Sequence, residues 1–139
     1  MRALATTRVV CSRLAAAAGA TALLAAATLA QEMCGRPREE PQALFDRLTK
    51  SEGLKEDFRD KAYVAISDKA KGTVWTFTAP GHPAHPSVVC RRPVQDGAEL
   101  RLQTEVQCNA VEDECQKLVK AFQELNQRML REMRKHQGK

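Results

Sequence analysis

Two groups of residues in this sequence have the types and spacing to do chemistry. The first is Gly81-His82-Pro83-Ala84-His85-Pro86, where two histidines stand three apart and each precedes a proline. Proline holds such a stretch extended or polyproline-like. A three-residue turn then points both imidazoles the same way, and neutral imidazoles bind Cu(II), Zn(II) or Ni(II). His82 and His85 are thus metal-ligand candidates that need a third donor, such as Asp or Glu from another loop. The simpler reading is a rigid connector whose imidazoles make ordinary hydrogen bonds, and it is preferred. The second group is Cys34, Cys90, Cys108 and Cys115. Cys90 precedes Arg91-Arg92, and nearby cations lower a thiol pKa. That makes Cys90 a candidate for thiol–disulfide chemistry. Strand alternation puts Arg91 on the other face, which weakens the case.

No other catalytic signature is present. The chain lacks G-x-S-x-G, H-E-x-x-H and a glycine-rich phosphate loop, and nothing in it calls for a cofactor. No C-x-x-C or C-x-x-H spacing supports a zinc site. His136 falls in a tail expected to fray.

The elements that position these residues begin with an address. Residues 1–30 carry Arg2, Arg8 and Arg13, no acid, and an uncharged run from Leu14 to Ala30. Thr28 and Ala30 place small residues before Gln31, so the segment reads as a cleaved secretory signal peptide. Its apolar run is short and mostly Ala, which disfavours a stable membrane span. The expected location is therefore exported, periplasmic or secreted, and Cys11 leaves with the leader. The net charge of +5 does not signal nucleic acid, because the leader holds three of those charges. The basic C-terminal end around Arg128, Arg131, Arg134 and Lys135 is diluted by Glu124 and Glu132 and reads as a solvated helix end.

The rest of the chain predicts a single small α+β domain. Residues 31–42 hold Gly35, Pro37, Pro41 and the charge cluster Arg36, Arg38, Glu39 and Glu40, and read as an extended lead-in. Pro41 opens a short amphipathic helix ending near Gly53. Leu54 to Lys61 is ambiguous, since Leu54 and Phe58 stand four apart as in a helix. Tyr63–Ile66 and Thr73–Thr78 read as strands, with Trp75 and Phe77 on one face. Ser87–Val94 and Ala98–Cys108 follow as a hairpin. Asn109 with Glu112 marks the start of a long C-terminal helix whose stripe is Val111, Cys115, Leu118, Phe122, Leu125, Met129 and Met133. The expected architecture is an N-terminal helix, an antiparallel sheet of three or four strands, and the long helix packed on one face.

Four cysteines in a short exported chain read as two disulfides with three possible pairings. Cys108 and Cys115 flank a helix start, about 10 Å apart along its axis, which disfavours their pairing. A three-residue hairpin loop pairs Cys90 with Leu102 and puts Val88, Cys90, Leu100, Leu102, Val106 and Cys108 on one face. A two-residue loop sets Cys90 beside Gln103 on a polar face, so the first register is preferred. Cys90 and Cys108 are then about 20 Å apart along the hairpin. Cys90–Cys115 with Cys34–Cys108 remains.

The segment Trp75-Thr76-Phe77-Thr78-Ala79-Pro80-Gly81-His82-Pro83-Ala84-His85-Pro86-Ser87-Val88-Val89, followed by a basic pair and a turn, resembles part of small exported proteins of Gram-negative bacteria. The resemblance covers about residues 60–125. It implies export and a compact domain, supplies no catalytic residue, and carries nothing about the four cysteines or the basic helix. The function expected is a non-enzymatic binding or structural module of the cell envelope, its partner an unknown envelope protein or ligand. Metal binding through His82 and His85 and thiol chemistry at Cys90 are the alternatives.

Overall fold

The computed structural model describes residues 31–137. The leader expected over residues 1–30 lies outside them. The elements are β1 (Glu32–Met33), β2 (Arg36–Pro37), α1 (Pro41–Asp46), a π-helical turn (Arg47–Ser51), β3 (Glu56–Arg59), β4 (Tyr63–Asp68), β5 (Thr73–Thr78), β6 (Ser87–Asp96), β7 (Glu99–Cys108) and α2 (Glu112–Gln137). β3 to β7 form one antiparallel sheet in chain order, and β1 and β2 form a separate hairpin. The class is α+β, but the expected three- or four-stranded sheet is corrected to five strands plus a two-stranded hairpin. The extra strand of the main sheet is β3, from the ambiguous Leu54–Lys61 stretch. It is an edge strand with every residue exposed, so it lacks the in–out alternation by which strands are read.

Both faces of the sheet are buried, and this decides the rest. Val64, Ile66, Trp75, Phe77, Val88 and Cys90 point to one side. There they pack under Met33, Cys34, Leu44 and Leu48 from the N-terminal segment. Tyr63, Val89, Val106 and Cys108 point to the other side, where Leu118, Phe122 and Leu125 of α2 cover them. The molecule is a three-layer stack: lead-in and α1, sheet, α2.

The hairpin at the tip has a two-residue loop, Gly97-Ala98, in a register that matches neither expected pairing of Cys90, with Leu102 or with Gln103. Asp96 pairs with Glu99 around Gly97-Ala98, and Gly97 sits at φ +60° as the first residue of a type II′ turn requires. Cys90 therefore faces Glu105, not Leu102. The expected register assumed that every apolar residue of the hairpin shares one core. Instead Leu100 and Leu102 belong with Val106 on the α2 side, where Leu100 lies near Leu130 and Met133. β5 stops opposite Arg91, short of Pro93, which has no N–H to give a third strand.

The disulfides follow the layers. Cys34–Cys90 ties the β1–β2 hairpin to the sheet, with Cα atoms 6.4 Å apart. Cys108–Cys115 ties the end of β7 to the first turn of α2, with Cα atoms 5.7 Å apart. The expected pairing, Cys90–Cys115 with Cys34–Cys108, is corrected. Cys90 and Cys115 lie on opposite faces of the sheet. The distance argument against Cys108–Cys115 measured along a helix axis, whereas the chain reverses through Asn109–Val111 before α2 begins. Asn109 is three residues ahead of the helix and donates its side-chain N–H to Glu40 at 2.6 Å. Two residues of the expected apolar stripe, Val111 and Met129, are exposed.

Candidate functional site

The two histidines are absorbed into the β5–β6 connection and serve different neighbours. The His82 Nδ1 accepts the Ala84 N–H at 3.0 Å, which leaves the proton on Nε2, 3.0 Å from the Tyr63 hydroxyl. Its ring also stacks on Tyr63, with centroids 5.0 Å apart. The His85 Nδ1 donates to the Thr78 carbonyl at 2.9 Å. His85 lines a recess of about 240 Å³ with Pro41, Phe45, Val64 and Phe77, on the face away from Tyr63. Among the described residues no group of three or more His, Cys, Asp or Glu could hold a metal ion. Cys90 is fully buried and bonded to Cys34, beyond the reach of a partner thiol.

A larger concavity, about 430 Å³, lies between α2 and the sheet. Its floor runs across four strands: Phe58 on β3, Tyr63 and Ala65 on β4, Thr76 on β5 and Arg91 on β6. Ala121, Phe122 and Leu125 of α2 form the opposite wall, and Arg128 stands at the rim. The lining is aromatic and aliphatic except for Thr76 and the two arginines. Phe58 closes the outer end and is 52% exposed. Phe122 packs edge-on against Tyr63, with centroids 5.8 Å apart, which fixes the middle of the wall.

Arg91 is the unusual member. It alternates with Val89 on the α2 face, so the strand pleat carries a cation into an apolar layer. Its guanidinium lies 5.2 Å from the Phe122 ring centroid. Nη1 donates to the Met129 sulfur at 3.4 Å, an ordinary distance for sulfur, and Nη2 reaches the Thr76 hydroxyl at 3.5 Å, the long limit of a hydrogen bond. Nε is buried with no partner. None of the ion pairs among the described residues includes Arg91 or Arg128. Burial pushes the Arg91 pKa down, and no neighbouring charge opposes it. Burial, with Asp60 second, pushes the Tyr63 phenol up.

The sequence placed Arg91 on the face opposite Cys90, which is where it lies. It did not single Arg91 out, because a groove needs β3 and α2 on either side and β3 had no readable period. The one available signal was a cation at an inward position beside Val89. Among the described residues no helix is long and apolar enough to cross a membrane. Comparison with known proteins finds no matching family model, no matching curated protein and no matching solved structure.

Proposed function

We propose that this protein is a small exported binding module that works without catalysis, and that its ligand surface is the groove between α2 and the sheet. The observation that carries the reading is Arg91, a half-buried cation in an apolar slot, without a carboxylate partner among the described residues and with its Nε buried and unbonded. A partly desolvated, unpaired charge in a cleft is a candidate for contact with a ligand. The groove volume lies within the roughly 300–1,000 Å³ of small-molecule sites. Two disulfides, the leader pattern of residues 1–30 and the resemblance to small exported proteins of Gram-negative bacteria support an oxidising compartment outside the cytoplasm.

Recovery of the chain from the envelope of a Gram-negative host tests both halves. N-terminal sequencing is expected to start at or near Gln31, and an intact Met1 on a cytoplasmic protein overturns export. Native mass spectrometry is expected to find a small molecule retained by wild type and lost from Ala121→Trp, which fills the groove from an exposed helix position. Identical ligand content in the two proteins overturns the groove.

A further inference from the structure

We propose that the groove takes a linear fatty acid, with the carboxylate on Arg91 and the acyl chain running outward to Phe58. The inference rests on the groove being a binding site and names what it binds. Three features of the slot point to this class.

The first is charge. Every carboxylate placed to neutralise Arg91 is otherwise engaged or makes no ion pair with it. On β3 and the turn after it, Glu56 pairs with Arg59, Asp57 accepts the Ser67 N–H, and Asp60 accepts the Ala62 and Tyr63 N–H groups. On α2, Glu114 pairs with Lys117 and Glu132 with Lys135, and Glu124 forms no ion pair. Glu105 lies on the opposite face of the sheet, where it accepts the Cys34 N–H. No carboxylate of the described residues pairs with Arg91, which leaves its guanidinium free for a ligand's anion. A carboxylate suits the planar guanidinium fork, bonding Nη1 and Nη2 in place of their contacts with the Met129 sulfur and the Thr76 hydroxyl.

The second is shape. The floor from Phe58 to Arg91 crosses three strand spacings of about 4.8 Å, giving a slot roughly 14 Å long. Arg91 lies at its inner end, and the small Ala65 and Ala121 leave its middle open. A linear chain fits such a slot. The third is the outer end. Phe58 is a large apolar side chain left half in water on an edge strand, placed to cover the far part of an acyl chain.

The test uses the full disulfide-bonded chain and three probes of equal chain length: decanoate, decanol and decyl phosphate. Backbone-amide NMR titrations are expected to shift Phe58, Ala65, Thr76, Ala121 and Leu125 with decanoate. Decanol is expected to bind at least about tenfold more weakly, as for loss of a charge-assisted hydrogen-bonded pair. Arg91→Met is expected to erase that difference, and Ala121→Trp to block all three probes with the charge left in place. Should Arg91→Met not fold, Arg91→Lys takes its place, and is expected to weaken decanoate while leaving decanol unchanged. Equal binding of decanoate and decanol to wild type overturns the carboxylate assignment and leaves the groove standing. Tighter binding of decyl phosphate than of decanoate overturns the carboxylate in favour of a phosphate headgroup. No probe moving the groove amides overturns the groove as well.

Discussion

The two faces of the sheet treat an arginine in opposite ways. On the N-terminal side, Arg36 lies with its guanidinium 5.9 Å from the Trp75 ring centroid. It also donates to both oxygens of Glu52, at 2.5 and 2.6 Å, and lies 3.6 Å from the buried carboxylate of Asp68. On the α2 side, Arg91 also lies by an aromatic ring, that of Phe122, but meets no carboxylate. The first is paired with carboxylates of its own chain and holds the lead-in down, although its Nε, like that of Arg91, is buried without a partner. The second has the Phe122 ring, the Thr76 hydroxyl and the Met129 sulfur, and no carboxylate among the described residues. The same residue type, at similar range from a ring, is structural where it is paired and points to a ligand where it is not.

The largest expected effect separates the layers by their staples. Cys34–Cys90 closes a loop of sequence separation 56, and Cys108–Cys115 one of only 7. Chain entropy gives about 4 kcal/mol for the first and about 2.4 kcal/mol for the second. Cys34 also sits at φ +49° beside Gly35 at φ +76°, the pair of left-handed residues that a tight type I′ hairpin demands. A non-glycine residue there costs about 1–2 kcal/mol, which only a tether offsets. Urea unfolding of Cys34→Ala/Cys90→Ala is expected to show the larger loss, with the β1–β2 hairpin losing amide protection first. Equal losses for the two double mutants would break the comparison.

Next is Arg36→Met. It leaves Asp68, only 5% exposed, with Lys71 at 3.8 Å as its remaining cation. Removing one partner of such a set costs about 2–3 kcal/mol. Urea midpoints measure it, and an unchanged midpoint would show that Arg36 is no more structural than Arg91.

How much of this was legible depends on burial being one-sided. β4 and β5 were readable because Tyr63–Ile66 and Thr73–Thr78 are rich in β-branched and aromatic residues. α2 was readable because Cys115, Leu118, Phe122 and Leu125 keep helical spacing. The register of β6 with β7 was not, because one strand feeds two cores. Cys90 faces Trp75 while Val89 faces Phe122, so a single-core assumption slides the hairpin by three residues, from Glu105 to Leu102 opposite Cys90. The cysteine pairing failed with the register. The groove was out of reach for a further reason: Phe58, Ala65, Thr76, Arg91 and Ala121 are gathered from four strands and a helix by pairing alone.

A third, smaller effect is in pH. The hydrogen bond from Arg36 holds the Glu52 carboxyl below its ordinary value of 4.5, and the bond from Arg59 does the same for Glu56. Asp57 is held below 3.8 by hydrogen bonding from Ser67. A folded-state pKa below the unfolded value gives stability that is present above the unfolded value. That stability is lost as pH falls through the folded one. Stability is therefore expected to fall from about pH 5 downward. The slope should be shallower in Arg36→Met, which frees Glu52, and unchanged in Arg91→Met, which touches no carboxylate. A parallel change in both variants, followed by urea midpoints across this range, would contradict the assignment.

The smallest expected effect is the most informative. Arg91→Met keeps a long side chain against Phe122 and removes a cation whose desolvation no carboxylate among the described residues offsets. It leaves no orphaned carboxylate, because none was paired. Replacing an uncompensated buried charge by an apolar group of similar length is neutral or stabilising. The unfolding midpoint is expected to stay within about 0.5 kcal/mol of wild type or to rise, against the clear loss in Arg36→Met. Such an outcome would show that Arg91 does not hold the fold. Loss of more than about 2 kcal/mol on Arg91→Met would place Arg91 with Arg36 as a structural cation and remove the contrast between the faces.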